Sequence, residues 1–246
     1  MKRLFALLLL LASLPAAAKT PVEADILDRI TDPRSPYYYT ALWMRYGNGD
    51  RTLTDEDYHY LYYGYAYQES YKPFASNPDM EQMLVLLSGL DPDKADPQTL
   101  EELLRTARMA HHRDPFSPKI LNVLTFACEA LGQKQEAEAW AARMNGVVRA
   151  IIGSGDGLTQ HTPRHILMFD HANDILSAEA LTHGKARIVS RTVEVVPLVP
   201  SIVIGGKKRK GIYFDFSRIY RNKPEGYTYQ RDRTWQFNNL KPRTYK

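Results

Sequence analysis

The sequence predicts an α+β protein, with a helical N-terminal two-thirds followed by a small antiparallel β-rich C-terminal portion. Three observations carry that reading. Apolar residues recur at helical spacing through residues 23–152, and residues from Ile188 to Val199 are rich in β-branched side chains. Between them the turn-rich run Gly153-Ser154-Gly155-Asp156-Gly157 marks a boundary. The expected divisions are a leader over 1–18, a helical domain over 19–152, a β-rich domain over 153–219 and a basic aromatic tail over 220–246.

The leader joins a basic start (Lys2, Arg3), an apolar run from Leu4 to Leu14 and the small residues Ala16-Ala17-Ala18. That is the layout of a secretory signal peptide, with cleavage expected before Lys19. The apolar run is shorter than the roughly 20 residues a membrane-spanning helix needs, and no later uncharged segment approaches that length. The expectation is an exported protein, periplasmic or extracellular, with no transmembrane segment in the mature chain. Its single cysteine, Cys128, excludes an intrachain disulfide, so burial must supply the stability. Cys128 lies in the apolar run from Leu121 to Ala127, where a small buried hydrophobe is expected rather than a reactive thiol.

Taken in order, a short helix is expected from Glu23 to Ile30, followed by breakers at Pro33 and Pro36 and the aromatic cluster Tyr37-Tyr38-Tyr39. Thr54 caps the next helix, with Asp57 placed for a capping box and Asp55 and Glu56 favouring its positive end. This helix is expected to reach Ser70. Tyr58, Leu61, Tyr62 and Tyr65 form one face of it and Tyr60, Tyr63 and Tyr67 a second stripe; eleven of the 16 tyrosines fall between Tyr37 and Tyr71. Further helices are expected over Pro78–Leu90, Leu100–Arg113, Lys119–Leu131 and Gln133–Ile152. Downstream, a strand is expected from His165 to Phe169 and a helix from His171 to Leu181. The stretch Ile188–Val199, with Ile202–Ile204 facing Ile212–Phe216, reads as a hairpin whose tip carries Lys207-Lys208-Arg209-Lys210. Pro197 and Pro200 place that part of the strand at an edge or a bulge.

Ala110, Asp114, Pro115, Ala130, Leu131, Gly132, Glu136 and Ala137 resemble one tetratricopeptide-type unit, which implies helix packing against neighbours and no enzyme activity. Leu61-Tyr62-Tyr63-Gly64-Tyr65, Tyr71-Lys72-Pro73-Phe74, Gly155-Asp156-Gly157 and Gly211-Ile212-Tyr213-Phe214-Asp215-Phe216 together resemble a bacterial family filed as domain of unknown function 4919. The resemblance spans most of residues 25–219. It implies an exported protein with a helical N-terminal and a β-rich C-terminal portion, and supplies no activity, ligand or catalytic residue.

No catalytic constellation emerges from the residues. His161, His165 and His171 suggest a metal site, but Pro163 breaks a helix there, and a strand sets residues four apart at about 13 Å. No metal and no cofactor is expected. His111-His112 ends a helix where cations favour the dipole. Gly153-Ser154-Gly155 lacks the strand–turn–helix context of a nucleophile elbow, and the glycine run lacks the lysine of a phosphate loop.

Two sets of candidate binding residues remain. Tyr60, Tyr63 and Tyr67 would line an adhesive groove if exposed, although Gly64 at the centre of the helix favours close packing instead. Lys207, Lys208, Arg209 and Lys210 suit an acidic partner, an anionic envelope polymer or lipid headgroups. The tail adds arginines interleaved with Tyr220, Tyr227, Tyr229, Trp235 and Phe237. Export makes nucleic acid an unexpected target. The leading expectation is a non-enzymatic binding or scaffold protein of the cell envelope, its helical hairpins presenting a groove to a peptide or protein. The alternative is a hydrolase or other enzyme acting on envelope or glycan material.

Overall fold

Side-chain caps start four of the helices. Thr54, Asn77, Asp96 and Ser117 each accept a backbone N–H from the first turn that follows, and prolines occupy the first helical position after the last three. The computed structural model describes residues 18–91 and 95–222. Among them the order is α1 (Glu23–Thr31), α2 (Tyr39–Gly47), α3 (Asp55–Tyr65), α4 (Pro78–Ser88), α5 (Pro97–Arg113), α6 (Pro118–Ala130), α7 (Lys134–Ile152), β1 (Arg164–His165), α8 (Asp170–Ala178), β2 (Arg187–Ile188), β3 (Val193–Ile204), β4 (Lys207–Asp215) and a 3-10 helix (Ser217–Asn222). The fold class is therefore α+β. Among these residues no helix is long and apolar enough to cross a membrane.

The expected capping box forms at α3: Asp57 N–H donates to Thr54 Oγ1 at 3.1 Å, and Thr54 N–H donates to Asp57 Oδ2 at 2.8 Å. The helix nevertheless stops at Tyr65, short of Ser70. Its last carbonyls are taken by i→i+3 turns, Tyr67 N–H to Gly64 and Gln68 N–H to Tyr65, and by the Gln68 side chain on Gly64. Helix α2 is not signalled by the sequence, because it has no side-chain cap and begins inside the aromatic cluster. It is completed from outside: Arg143 on α7 donates to the carbonyls of Tyr46 and Gly47 at 2.9 and 2.8 Å, while its guanidinium covers the Trp140 ring at 4.1 Å.

The tyrosines of α3 are core residues. Tyr58, Tyr60, Tyr62, Tyr63 and Tyr65 are all buried, and Gly64 admits Tyr39 and Ile30 so closely that a Cβ there would lie 3.0–3.2 Å from them. A single cluster of buried side chains runs from Ile26 through α3, α5, α6, α7 and α8 to Phe214, Phe216 and Ile219. The expected boundary at Gly153 coincides with the C-cap of α7, and the core continues across it. Cys128 sits inside this core, where burial pushes its thiol up to about 11.

The expected strand from His165 to Phe169 is only two residues long. The buried stretch beyond it is held mainly by side chains. His165 N–H donates to Ser154 Oγ, Ile166 N–H to the Asp215 carbonyl, and Leu167 N–H to the Tyr62 hydroxyl. Tyr63 and Tyr71 donate in turn to the carbonyls of His165 and Leu167, at 3.0 and 2.7 Å.

The sheet order is β1-β4-β3-β2. It is mixed rather than wholly antiparallel, because β1 pairs parallel to β4 (Arg164 with Phe214). Strands β3 and β4 pair antiparallel from Val193 with Asp215 to Ile204 with Lys207, and the register slips between Pro197 and Ile202, as the prolines led us to expect of a bulge. The hairpin turn is the pair Gly205-Gly206, both at positive φ (57° and 73°), the geometry that two-residue turns of this hand require. Lys207 to Lys210 therefore lie in the paired strand β4 and not in the loop, which corrects the expected basic tip.

Tyr62→Phe removes the partner of Leu167 N–H and of the His171 ring, leaving two buried polar groups unpaired. We expect a loss of about 1–3 kcal/mol for each in denaturant unfolding, against less than about 0.5 kcal/mol for the half-buried Tyr67→Phe. Equal midpoints for the two variants would contradict this account of the core.

Candidate functional site

The tyrosine groove suggested by the stripe on α3 does not exist as an exposed surface. Tyr60 is stacked on Tyr37 at 4.3 Å, donates its hydroxyl to Asp25 and lies beneath the Lys19 ammonium at 4.5 Å. Tyr63 is fully buried against His59 and Tyr62. Tyr67 is half-buried with the Arg221 guanidinium 4.1 Å from its ring centre. Tyr60 and Tyr63 lie on α3 and Tyr67 in the turn that follows it, and packing leaves the three no common face for a ligand.

The basic run forms a different surface. Residues 193–198 of β3 and 211–214 of β4 are largely buried, whereas 199–204 and 207–210 extend beyond the core as a mostly exposed two-stranded ribbon. Cross-strand partners share a face, so Val203 stands beside Lys208 on one side, and Ile204 with Lys207 and Ile202 with Arg209 stand on the other. Val203 is 71% and Val199 57% exposed. Lys207, Lys208, Arg209 and Lys210 make no ion pair among the described residues, while arginines of the body do so repeatedly: Arg45 with Asp50, Arg51 with Glu138, Arg108 with Glu136, Arg149 with Asp55 and Arg164 with Glu179. The ribbon thus holds four adjacent, uncompensated cations. The tail over 223–246, whose arginines and aromatics extend the basic pattern, lies outside the described residues.

The titratable groups of the interior are arranged quite differently. His171 on α8 is buried between the Tyr62 hydroxyl (2.8 Å to Nδ1) and Asp114 (3.2 Å to Nε2). Burial opposes its protonation, but the Asp114 carboxylate prevails and its pKa is raised. One turn on, Asp174 accepts from the Ser117 hydroxyl and from Lys119 N–H at the start of α6, and pairs with Lys119 Nζ at 3.0 Å. Its carboxylate therefore occupies the positive end of that helix. Burial still raises its pKa.

At the join of the helices and the sheet, Arg218 donates to His165 Nδ1 at 3.1 Å and to the Pro21 carbonyl at 2.6 Å. Burial of Asp215 works against its charge, yet the neighbouring His165 ring and hydrogen bonds from the Ser217 hydroxyl and N–H hold its carboxyl down to about 2. His161, by contrast, is exposed beside Gln160. The three histidines of the suggested metal site thus face separate partners, and among the described residues no group of three or more His, Cys, Asp or Glu side chains is placed to hold a metal ion.

His111 also departs from its expected role. Burial against Tyr46 and Trp140 lowers its pKa to about 4, so near neutral pH it is an uncharged core ring and not a cation at the end of α5. The open depression lined by Gly132, Gln133, Lys134, Gln135 and Glu136 at the α6–α7 turn contains none of the perturbed groups.

A family model described as Domain of unknown function (DUF4919) matches residues 24–225. The chain belongs to that family. No curated protein and no solved structure matches it. The DUF4919 match takes in the tyrosine helix, the sheet and the whole cationic ribbon. In this DUF4919 chain α5 packs on α6 and α6 on α7, and the match does not assign the tetratricopeptide-like repeat.

The histidines yield a test of the core. His59 and His111 both have pKa values lowered to about 4, by burial first. Between about pH 6.5 and 4 the unfolded chain takes up protons there that the folded chain does not, so stability falls as pH falls. His171, with a raised pKa, acts in the opposite sense: its contribution is present in acid and lost as pH rises through its folded value. We expect the thermal midpoint to drop by several degrees from pH 6.5 to 4 and the drop to shrink in His59→Gln. An unchanged slope in that variant would argue against a buried, neutral His59.

Proposed function

We propose that this DUF4919 chain is an exported, non-enzymatic binding or scaffold protein of the bacterial cell envelope, and that its contact surface is the cationic ribbon over 199–204 and 207–210. The uncompensated charge of Lys207, Lys208, Arg209 and Lys210, projecting from a buried base, is the observation that carries this reading. Clustered like charges raise the local potential and favour an anionic partner, with the association weakened by salt. Export rests on the leader and on the small residues that precede Lys19.

The arrangement of the interior favours binding over hydrolysis. An acid–base residue must come within about 3 Å of a reacting atom. His171 and Asp174, whose pKa values are raised, are instead enclosed by their protein partners, at 1% and 3% exposure.

Two measurements test the reading. Protein recovered from the exported fraction should begin at Lys19; an intact Met1 on membrane-embedded protein would defeat the export half. The same chain should be retained on immobilised dextran sulfate at low salt and released as salt rises. Replacing Lys207, Lys208, Arg209 and Lys210 together by Glu should abolish most of that retention, and undiminished retention would remove the ribbon from the proposal.

A further inference from the structure

We infer that the partner of the ribbon is the surface of an anionic phospholipid bilayer, with Val199, Val203 and Ile204 entering the boundary between headgroups and acyl chains while the adjacent cations hold the phosphates. This rests on the binding reading above and adds to it the class of partner. Charge alone does not discriminate, since a polyanion or an acidic protein would satisfy four cations equally well.

The apolar half of the ribbon is what discriminates. Each of its outer β3 residues faces a cation across the ladder, Val203 with Lys208, Ile204 with Lys207 and Ile202 with Arg209, so both faces mix a branched apolar side chain with a positive one. Val203 and Val199 are largely exposed, and a polyanion would leave these apolar side chains in water. A bilayer interface takes both kinds of group at once: basic side chains extend their stems along apolar surface and leave their charges at headgroup level.

Two further features fit that partner. The stretch 198–211 contains no Asp or Glu, so nothing on the ribbon repels an anionic surface. The apex is Gly205-Gly206, around which a Cβ would meet no atom within 4 Å, and the ribbon therefore ends in a narrow tip without side chains. From residue 199 to 204 it spans at most about 17 Å at the usual strand rise, enough to reach a headgroup layer while the folded body stays in water.

The experiment uses the chain beginning at Lys19 and three probes: vesicles of phosphatidylcholine with phosphatidylglycerol, vesicles of phosphatidylcholine alone, and dextran sulfate. Wild-type protein should sediment with the mixed vesicles and bind phosphatidylcholine alone at least tenfold more weakly. Each cation reversed should weaken vesicle binding about fivefold or more. Val203→Ser combined with Ile204→Ser should cost vesicle binding about tenfold and leave dextran sulfate binding unchanged, because only the bilayer uses the apolar side chains.

These positions are exposed, and an unchanged thermal midpoint would confirm that the variant is folded. Equal binding of the double-serine variant and wild type to mixed vesicles overturns the bilayer inference while the anionic binding reading stands. Equal affinity of wild type for both kinds of vesicle also overturns it. Absence of wild-type binding to mixed vesicles and to dextran sulfate alike overturns the binding reading itself.

Discussion

The structure depends on how tyrosine hydroxyls satisfy a buried, irregular stretch of backbone. Residues 165–167 pass between the helices and the sheet with almost no ladder to either side, and a buried peptide group without a partner costs about 1–3 kcal/mol. Tyr62, Tyr63 and Tyr71 supply a hydroxyl at that depth together with a large apolar ring. Phenylalanine would fill the same space and leave the N–H of Leu167 and the carbonyls of His165 and Leu167 unpaired. The density of tyrosine near α3 thus reflects a need for core residues that also hydrogen-bond.

The same device recurs with charged groups. The turn between α5 and α6 is held from three directions: Tyr46 donates to the Pro115 carbonyl at 2.6 Å, His171 pairs with Asp114, and Asp174 receives Ser117 and Lys119. Helix α8 is docked through two polar side chains one turn apart, and α2 is terminated by an arginine from α7. Asp174 meets a helix end and Lys119, His171 meets Asp114, and Arg143 meets the end of α2 and the Trp140 face. Such groups are perturbed because they position elements, and a shifted pKa here is a sign of architecture.

Against that interior, the ribbon is an exception. Several arginines of the body are neutralised by carboxylates drawn from distant elements, as Arg149 is by Asp55 and Arg51 by Glu138. Among the described residues nothing opposes the ribbon's four cations, and valine and isoleucine stand exposed beside them. Neither feature helps the fold, since exposed like charges repel and exposed branched apolar groups bury nothing. Both acquire a physical purpose if a surface that is anionic outside and apolar within lies against them.

By itself the sequence determined the α+β class, most helix positions, the capping box at Thr54 and the presence of a hairpin beyond Ile202, because caps, helical spacing and glycine turns act over a few residues; its register, with Ile202–Ile204 facing Lys207–Arg209 rather than Ile212–Phe216, was not among them. It also singled out the basic run of the ribbon. The tertiary structure decided whether Tyr60 and Tyr63 faced solvent or core, since a helix with two aromatic stripes reads the same until its neighbours are placed. It decided that α2 forms, because its carbonyls are satisfied by Arg143, almost a hundred residues away along the chain. It moved Lys207 to Lys210 from a loop into a ladder, because the turn closes on Gly205-Gly206 alone. And it showed which charges are cancelled, since ion pairing depends on distances through space that residue spacing along the chain does not encode.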